Sequence, residues 1–191
     1  MTRASLCGGA ALRDAEYCSV GSDNLLGGQR ATSHLIRLGR ERILFLGDTE
    51  APEADQRHRG YKQALELASR EFDEELTVSA SFDVHSAEAA TGSLIQQGVE
   101  FDGVFAASDL IAIGAMRALT RAGRSIPGDV SVVGYDNIAA SRLVTPRLTT
   151  IDQDANLAGR LLVSKLIDTQ GKIPPSDRTE TSLLIRESCG G

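Results

Sequence analysis

The sequence predicts an α/β protein with a parallel sheet flanked by helices, and three observations carry that expectation. From Val20 onward, short apolar runs alternate with longer stretches of helical period, the pattern of repeated strand and helix units. The run Ile43, Leu44, Phe45, Leu46 is apolar at every position and stops at Gly47, as a strand buried on both faces does. The run 130–133 is the clearest β-branched segment, and Pro127, Gly128 and Asp129 turn the chain into it.

Each element follows in order. Residues 28–38 put Ala31, Leu35 and Leu38 on one stripe with Ile36 beside it, and Gly39 ends that helix. After the strand at 43–46, Tyr61, Ala64, Leu65 and Ala68 mark the inner face of a second helix. A weak strand at 76–80 comes next. Ser86 is placed to cap a third helix with Ala87, Ala90, Thr91, Leu94 and Ile95 inward and Gly98 as its stop. Val104, Phe105 and Ala106 form a strand, and Asp109 stands where it can cap a helix that carries Ala112, Ile113, Met116 and Leu119 and ends at Gly123. Beyond 130–133 the pattern loosens until 148–151. A last helix, Ala155–Ile167, has Ala158, Leu161, Leu162 and Leu166 inward, and 182–185 reads as a closing strand. Residues 1–19 show no clear strand or helix. They read as a poorly specified leader, too weakly apolar for a secretory signal.

Composition narrows the function. A formal net charge of −6 gives no bulk attraction to a polyphosphate chain, so any DNA-reading part is expected elsewhere. Cys7, Cys18 and Cys189 sit near the two ends without metal-ligand spacing, which points to a reducing cytoplasm and no zinc site. His34, His58 and His85 fall on separate elements, none beside a nucleophile, and are expected to be solvated. Neither a G-x-G-x-x-G nor a G-x-x-x-x-G-K-[ST] pattern is present. No cofactor, no metal and no catalytic residue is therefore expected.

In an open parallel sheet, ligands bind beyond the carboxyl ends of the strands. The residues there are Asp48 and then Arg57 after the first strand, and Phe82 after the weak one. Ser108 and Asp109 follow the third, and Tyr135, Asp136 and Asn137 the fourth. That set suits a polyol. Carboxylates accept from adjacent hydroxyls, Arg supplies fixed donors, and Phe covers an apolar ring face. Each residue also has a plainer reading: Asp109 as a helix cap, Arg57 as half of a surface ion pair, Phe82 as core, and Asp136 with Asn137 as turn formers.

Several segments, in order, resemble the LacI/GalR family of bacterial transcription regulators. They are Asp23-Asn24-Leu25-Leu26-Gly27-Gly28, His34-Leu35 to Gly39, Arg42-Ile43, Arg57-His58-Arg59-Gly60-Tyr61, and Ala107-Ser108-Asp109 through Gly114-Ala115. Ile126-Pro127 through Asp136-Asn137, Leu148-Thr149-Thr150-Ile151 and Ile185-Arg186-Glu187-Ser188 complete the set. The resemblance implies a two-lobed, periplasmic-binding-protein-like type I fold. It implies a small-molecule effector, a sugar or a nucleobase-like compound, held between the lobes, and lobe closure that sets operator affinity. Arg57, Phe82 and Asp136 match effector-binding positions, and Ser108 stands where the family usually has Asn. Asp48, Asp109 and Asn137 are further candidates.

Only a short leader precedes the Asp23-Asn24 motif. The chain is therefore expected to be truncated or mis-started at its N-terminus, lacking the helix-turn-helix module through which a homodimer would bind operator DNA. The effector-binding domain spans 20–191, with 42–152 and 180–188 as the second lobe. Residues 23–39 and 153–170 are read as first-lobe remnants whose sheet is absent, which would leave apolar patches exposed. The rival classes are a sugar receptor of a transport system and a small α/β hydrolase.

Overall fold

The computed structural model describes residues 6–8, 18–167 and 175–191. Nine strands and five α-helices run β1 (Leu6–Gly8), β2 (Cys18–Ser22), α1 (Asn24–Arg37), β3 (Ile43–Leu46), α2 (Pro52–Leu67), β4 (Thr77–Val78), α3 (Val84–Gln96) and β5 (Gly103–Ala106). Then come α4 (Asp109–Arg121), β6 (Ser131–Tyr135), β7 (Thr149–Asp152), α5 (Ala155–Ile167), β8 (Asp177–Thr179) and β9 (Ser182–Leu184), all among the described residues.

Two sheets form. The larger has the order β4-β3-β5-β6-β7-β9, parallel except for β9, which runs antiparallel along β7. β3 and β5 lie in its interior with every residue buried, the placement that an uninterrupted apolar run requires. Successive residues of β6 show which helices cover which face. Gly134 abuts Asp109 and Ala112 of α4, and Tyr135 reaches Gly27 of α1. Because neighbouring side chains on a strand point to opposite faces, α1 and α4 lie on opposite sides of the sheet. α2 packs on α1 and α3 on α4.

The second sheet differs from the sequence reading. β1, β2 and β8 make a three-stranded parallel sheet, with β1 and the first two residues of β2 inside the stretch expected to hold no strand. Their weak local signal has a simple cause: Cys18-Ser19-Val20-Gly21-Ser22 has one β-branched residue, and its order comes from pairing with a strand more than 150 positions away. A sheet expected to be absent is thus present in part, and α5 packs on it through contacts with β1 and β2.

The helix at 23–39, expected as a first-lobe remnant, packs elsewhere. Ala31 and Leu35 are fully buried in one cluster with Ile43, Phe45 and Tyr61, so α1 belongs to the core of the larger sheet. α5 has no fully buried residue. Ala158, Leu161 and Leu162 are half-buried, but Leu166, expected inward, is exposed together with Val163 and Ile167. Two caps also shift. Asp83 rather than Ser86 caps α3, and Ser108 rather than Asp109 caps α4. His34 and His58, expected in solvent, are buried, the latter against Phe45, Tyr61 and Phe72; only His85 is exposed.

Candidate functional site

The site is built where the chain crosses between the two sheets. It crosses after β2, after β7 and after β8, and the three crossings are tied together. The amide of Asp23 donates to the Thr179 carbonyl at 3.1 Å, Thr179 Oγ1 to the Gln153 carbonyl at 3.3 Å, and Ser22 Oγ to Gln153 Oε1 at 2.7 Å.

Arg57, one and a half turns into α2, is brought there by a close helix crossing. A Cβ at Gly28 would stand closer than 3.0 Å to the Arg57 carbonyl oxygen, and one at Gly60 equally close to that of Leu25. Only glycine lets the α1 and α2 backbones approach so far. Asp23 caps α1 by accepting from the Leu26 amide, which sets Asn24 at the first turn, directly over Arg57.

Arg57 Nε donates to Asn24 Oδ1 at 2.9 Å, Nη1 donates to the Ala107 carbonyl, and Nη1 lies 3.6 Å from Asp136 Oδ1. The guanidinium carbon sits 3.7 Å above the centre of the Tyr135 ring. The side chain of Arg57 is 4% exposed and that of Asp136 is 28%. Asp136 is therefore the face the pair offers to solvent, with Arg57 behind it. Gln153 Nε2 also donates to Asp136. Burial pushes the Asp136 carboxyl up to about 6, with Arg57 and Gln153 both opposing the rise. A cavity of about 280 Å³ opens at the same seam, lined by Ser22, Asn24, Glu53, Gln153, Ala158 and Leu162 among others.

Of the residues singled out from sequence, Arg57 and Asp136 meet directly. Phe82 is 42% exposed on the loop after β4, so it is not core. Asp48 is half-buried and accepts from the Glu50 amide. Ser108 is buried, its hydroxyl accepting from the Ile111 amide at 3.3 Å as the α4 cap. Asp109 is fully buried and bonded to Thr150 and Ile138, so its carboxylate is not presented to solvent as a ligand contact would be. Asn137 is half-buried, with its amide engaged by Arg186 and Asp152.

Sequence reasoning missed Asn24 and Gln153 as site residues. Asn24 lay inside a quoted motif, and Gln153 lay just past the 148–151 run; both were one step beyond the strand-tip rule. Among the described residues no group of His, Cys, Asp or Glu could hold a metal ion, and no helix is long and apolar enough to cross a membrane.

Two lobes' worth of α/β structure joined by three crossings, with polar side chains gathered at the seam, define a periplasmic-binding-protein-like effector domain. Residues 32–189 match the periplasmic binding protein-like domain family. The chain is 38% identical over 173 residues to the HTH-type transcriptional regulator CelR of Thermobifida fusca, covering 88% of this chain and 51% of that protein. It is 34% identical to the ribose operon repressor of Halalkalibacterium halodurans, covering 90% of this chain and 52% of the relative. The chain thus spans about half the length of the curated relatives it matches.

Among solved structures, a CelR-cellobiose complex superposes with a TM-score of 0.90 at 35% identity, covering 96% of this chain and 58% of that one. A LacI-family transcriptional regulator from Sanguibacter keddieii does so at 0.87 and 33% identity, covering 97% and 72%. The chain belongs to the periplasmic-binding-protein-like family, within its LacI branch of transcriptional regulators. These relatives are regulators rather than enzymes.

Proposed function

We propose that the chain is the effector-sensing part of a cytoplasmic LacI-type regulator and that its effector is a neutral sugar. The observation that supports this most directly is the Arg57–Asp136 pair at the seam between the two sheets. It is backed by Asn24 and Gln153, with Asp136 as its solvent-facing acceptor. A carboxylate held by a guanidinium can accept from two adjacent hydroxyls of a polyol. Because Arg57 is already matched by Asp136, no unpaired charge asks for an anion.

Phe82 and Asp48, at the same edge of the larger sheet, would cover and orient a ring; Ser108 and Asn137 would add polar contacts. Relatives whose structures hold cellobiose and ribose favour the sugar reading over a nucleobase. In this reading the lobes are the two sheets with their helices, and sugar binding biases the angle between them. Homodimerisation and operator contact belong to the full regulator, the latter through a helix-turn-helix module outside these 191 residues.

Calorimetric titration with cellobiose, ribose, other common sugars and purine bases tests the reading. A sugar should bind, and Asp136→Asn should abolish the heat. No binding by any sugar, or binding indifferent to Asp136→Asn, would overturn it.

A further inference from the structure

Two features remain outside the site as described: the fully buried Asp109, and the segment Ile185-Arg186-Glu187-Ser188 near the C-terminus. Both end on the same loop. Asp136 and Asn137 have φ of 108° and 52°, a region that residues with side chains seldom adopt and that Asp and Asn tolerate best, so contacts from the surroundings help to hold it.

Three successive amides of the loop are anchored. That of Asp136 donates to the Ile151 carbonyl at 2.9 Å, that of Asn137 to Thr150 Oγ1 at 3.3 Å, and that of Ile138 to Asp109 Oδ2 at 2.9 Å. Thr150 Oγ1 in turn donates to Asp109 Oδ1 at 2.6 Å, so the carboxylate fixes two of the three anchors. The space for it is made by Gly134, where a Cβ would stand closer than 3.0 Å to Asp109 Oδ1.

From the other side, Arg186 Nη2 donates to Asn137 Oδ1 at 2.7 Å. Its Nη1 donates to the Leu148 carbonyl at 2.7 Å and to Ser141 Oγ at 3.0 Å. The segment is itself pinned: the Arg186 amide donates to Thr149 Oγ1 at 2.8 Å, and Ser188 Oγ accepts from the Thr149 amide and donates to the Val132 carbonyl.

We propose that Asp109 and Arg186 are positioning residues that hold the 136–138 loop, with its left-handed backbone at Asp136 and Asn137, and thereby aim Asp136 at the effector. The proposal rests on the reading of Asp136 as an effector contact. An all-acceptor carboxylate suits a place where two donors converge. A forked guanidinium suits one where an amide, a hydroxyl and a carbonyl oxygen converge. The hydrogen bonds of both side chains run to the loop and to the residues that anchor it, so both act through the loop.

Amide hydrogen exchange by NMR on the 191-residue chain tests this, with cellobiose titration beside it. Asp109→Ala and Arg186→Gln should each speed exchange at Asn137 and Ile138 by roughly tenfold or more while Leu44 and Phe105 stay protected. Cellobiose affinity should fall in the same variants. Asp109→Asn should restore both, because its oxygen can accept from Ile138 and its nitrogen can donate to Thr150.

Unchanged loop exchange would overturn the proposal. So would equal acceleration at Leu44 and Phe105, which would mark mere support of the fold, or failure of Asn to rescue. If the wild-type chain binds neither cellobiose nor any other sugar, the functional reading falls, while the exchange data alone decide whether these residues set the loop.

Discussion

Gly28 and Arg57 are in backbone contact: the α1 helix presents a bare Cα to the Arg57 carbonyl, closer than any residue with a Cβ could come. The site's central cation is held in place by a helix crossing that glycine alone permits.

Gly28→Ala and Gly60→Ala should therefore each destabilise the chain by about 1–3 kcal/mol, lowering the melting temperature by roughly 3–10 °C. Gly92→Ala on α3 and Gly159→Ala on α5 are the contrast. A Cβ there meets nothing within 4 Å, and replacing a mid-helix glycine should gain about 0.5–1 kcal/mol. Thermal melts followed by circular dichroism read both signs. Equal behaviour of the two pairs would disprove the crossing argument.

Removing Arg57 leaves the half-buried Asp136 without its cation and takes one donor each from Asn24 Oδ1 and the Ala107 carbonyl. Arg57→Ala should cost about 3–5 kcal/mol in urea unfolding. Arg57→Lys should recover little, because an ammonium cannot reproduce the fork or the stacking on Tyr135. Asp136→Asn should be milder than either, since the amide oxygen can still accept from Gln153 Nε2.

Burial raises Asp109 to about 7 from an ordinary 3.8, with bonds from Thr150 and Ile138 opposing, the Asp136 charge adding and Arg186 opposing. A carboxyl that holds its proton more tightly in the fold contributes stability that is complete below 3.8 and lost as the pH rises through about 7. Asp136, pushed up to about 6, acts in the same direction. Asp109→Asn should therefore melt above the wild type at pH 8, with an advantage that shrinks as the pH falls below about 7 and is gone only at about 3.8. A gain of equal size at pH 8 and pH 5 would refute the assignment.

His58 gives the opposite slope. Burial, helped by Lys62 and opposed by Asp55, lowers it from 6.5 to about 4, so its contribution is present above 6.5 and lost as the pH falls through about 4. Replacing His58 by Gln should flatten the acid limb of the stability curve between those limits, measured by urea unfolding. An unchanged acid limb would show that another group governs it.

Val163, Leu166 and Ile167 lie on the outer side of α5 and are each more than half exposed. Polar replacements there should leave the unfolding free energy within about 0.5 kcal/mol and improve solubility. A fall of more than about 5 °C in the melting temperature, well beyond what a surface change produces, would show that these side chains are covered in solution.

What was readable in sequence is the larger sheet. β3, β5 and β6 are short apolar or β-branched runs whose burial on both faces demands that composition, and each helix beside them repeats its apolar stripe every turn. The strand-tip rule also named Arg57 and Asp136 correctly as neighbours, because a parallel sheet brings its carboxyl ends to one edge. Local pattern could not reveal the small sheet, whose strands Leu6–Gly8, Cys18–Ser22 and Asp177–Thr179 are ordered by partners distant in sequence.

The sequence by itself determined the strands and helices of the larger sheet, most of their apolar core and the two charged residues at its edge, since these follow from periodicity and from where strands end. Tertiary structure alone decided three things: that α1 packs into the larger core, that Asn24 and Gln153 complete the site, and that Asp109 serves the loop. Each depends on which groups meet across the crossings. Hydrogen bonds between segments more than 30 positions apart, such as Arg57 to Asn24 and Thr150 to Asp109, have no local signature, because the geometry that makes them exists only once the chain has closed on itself.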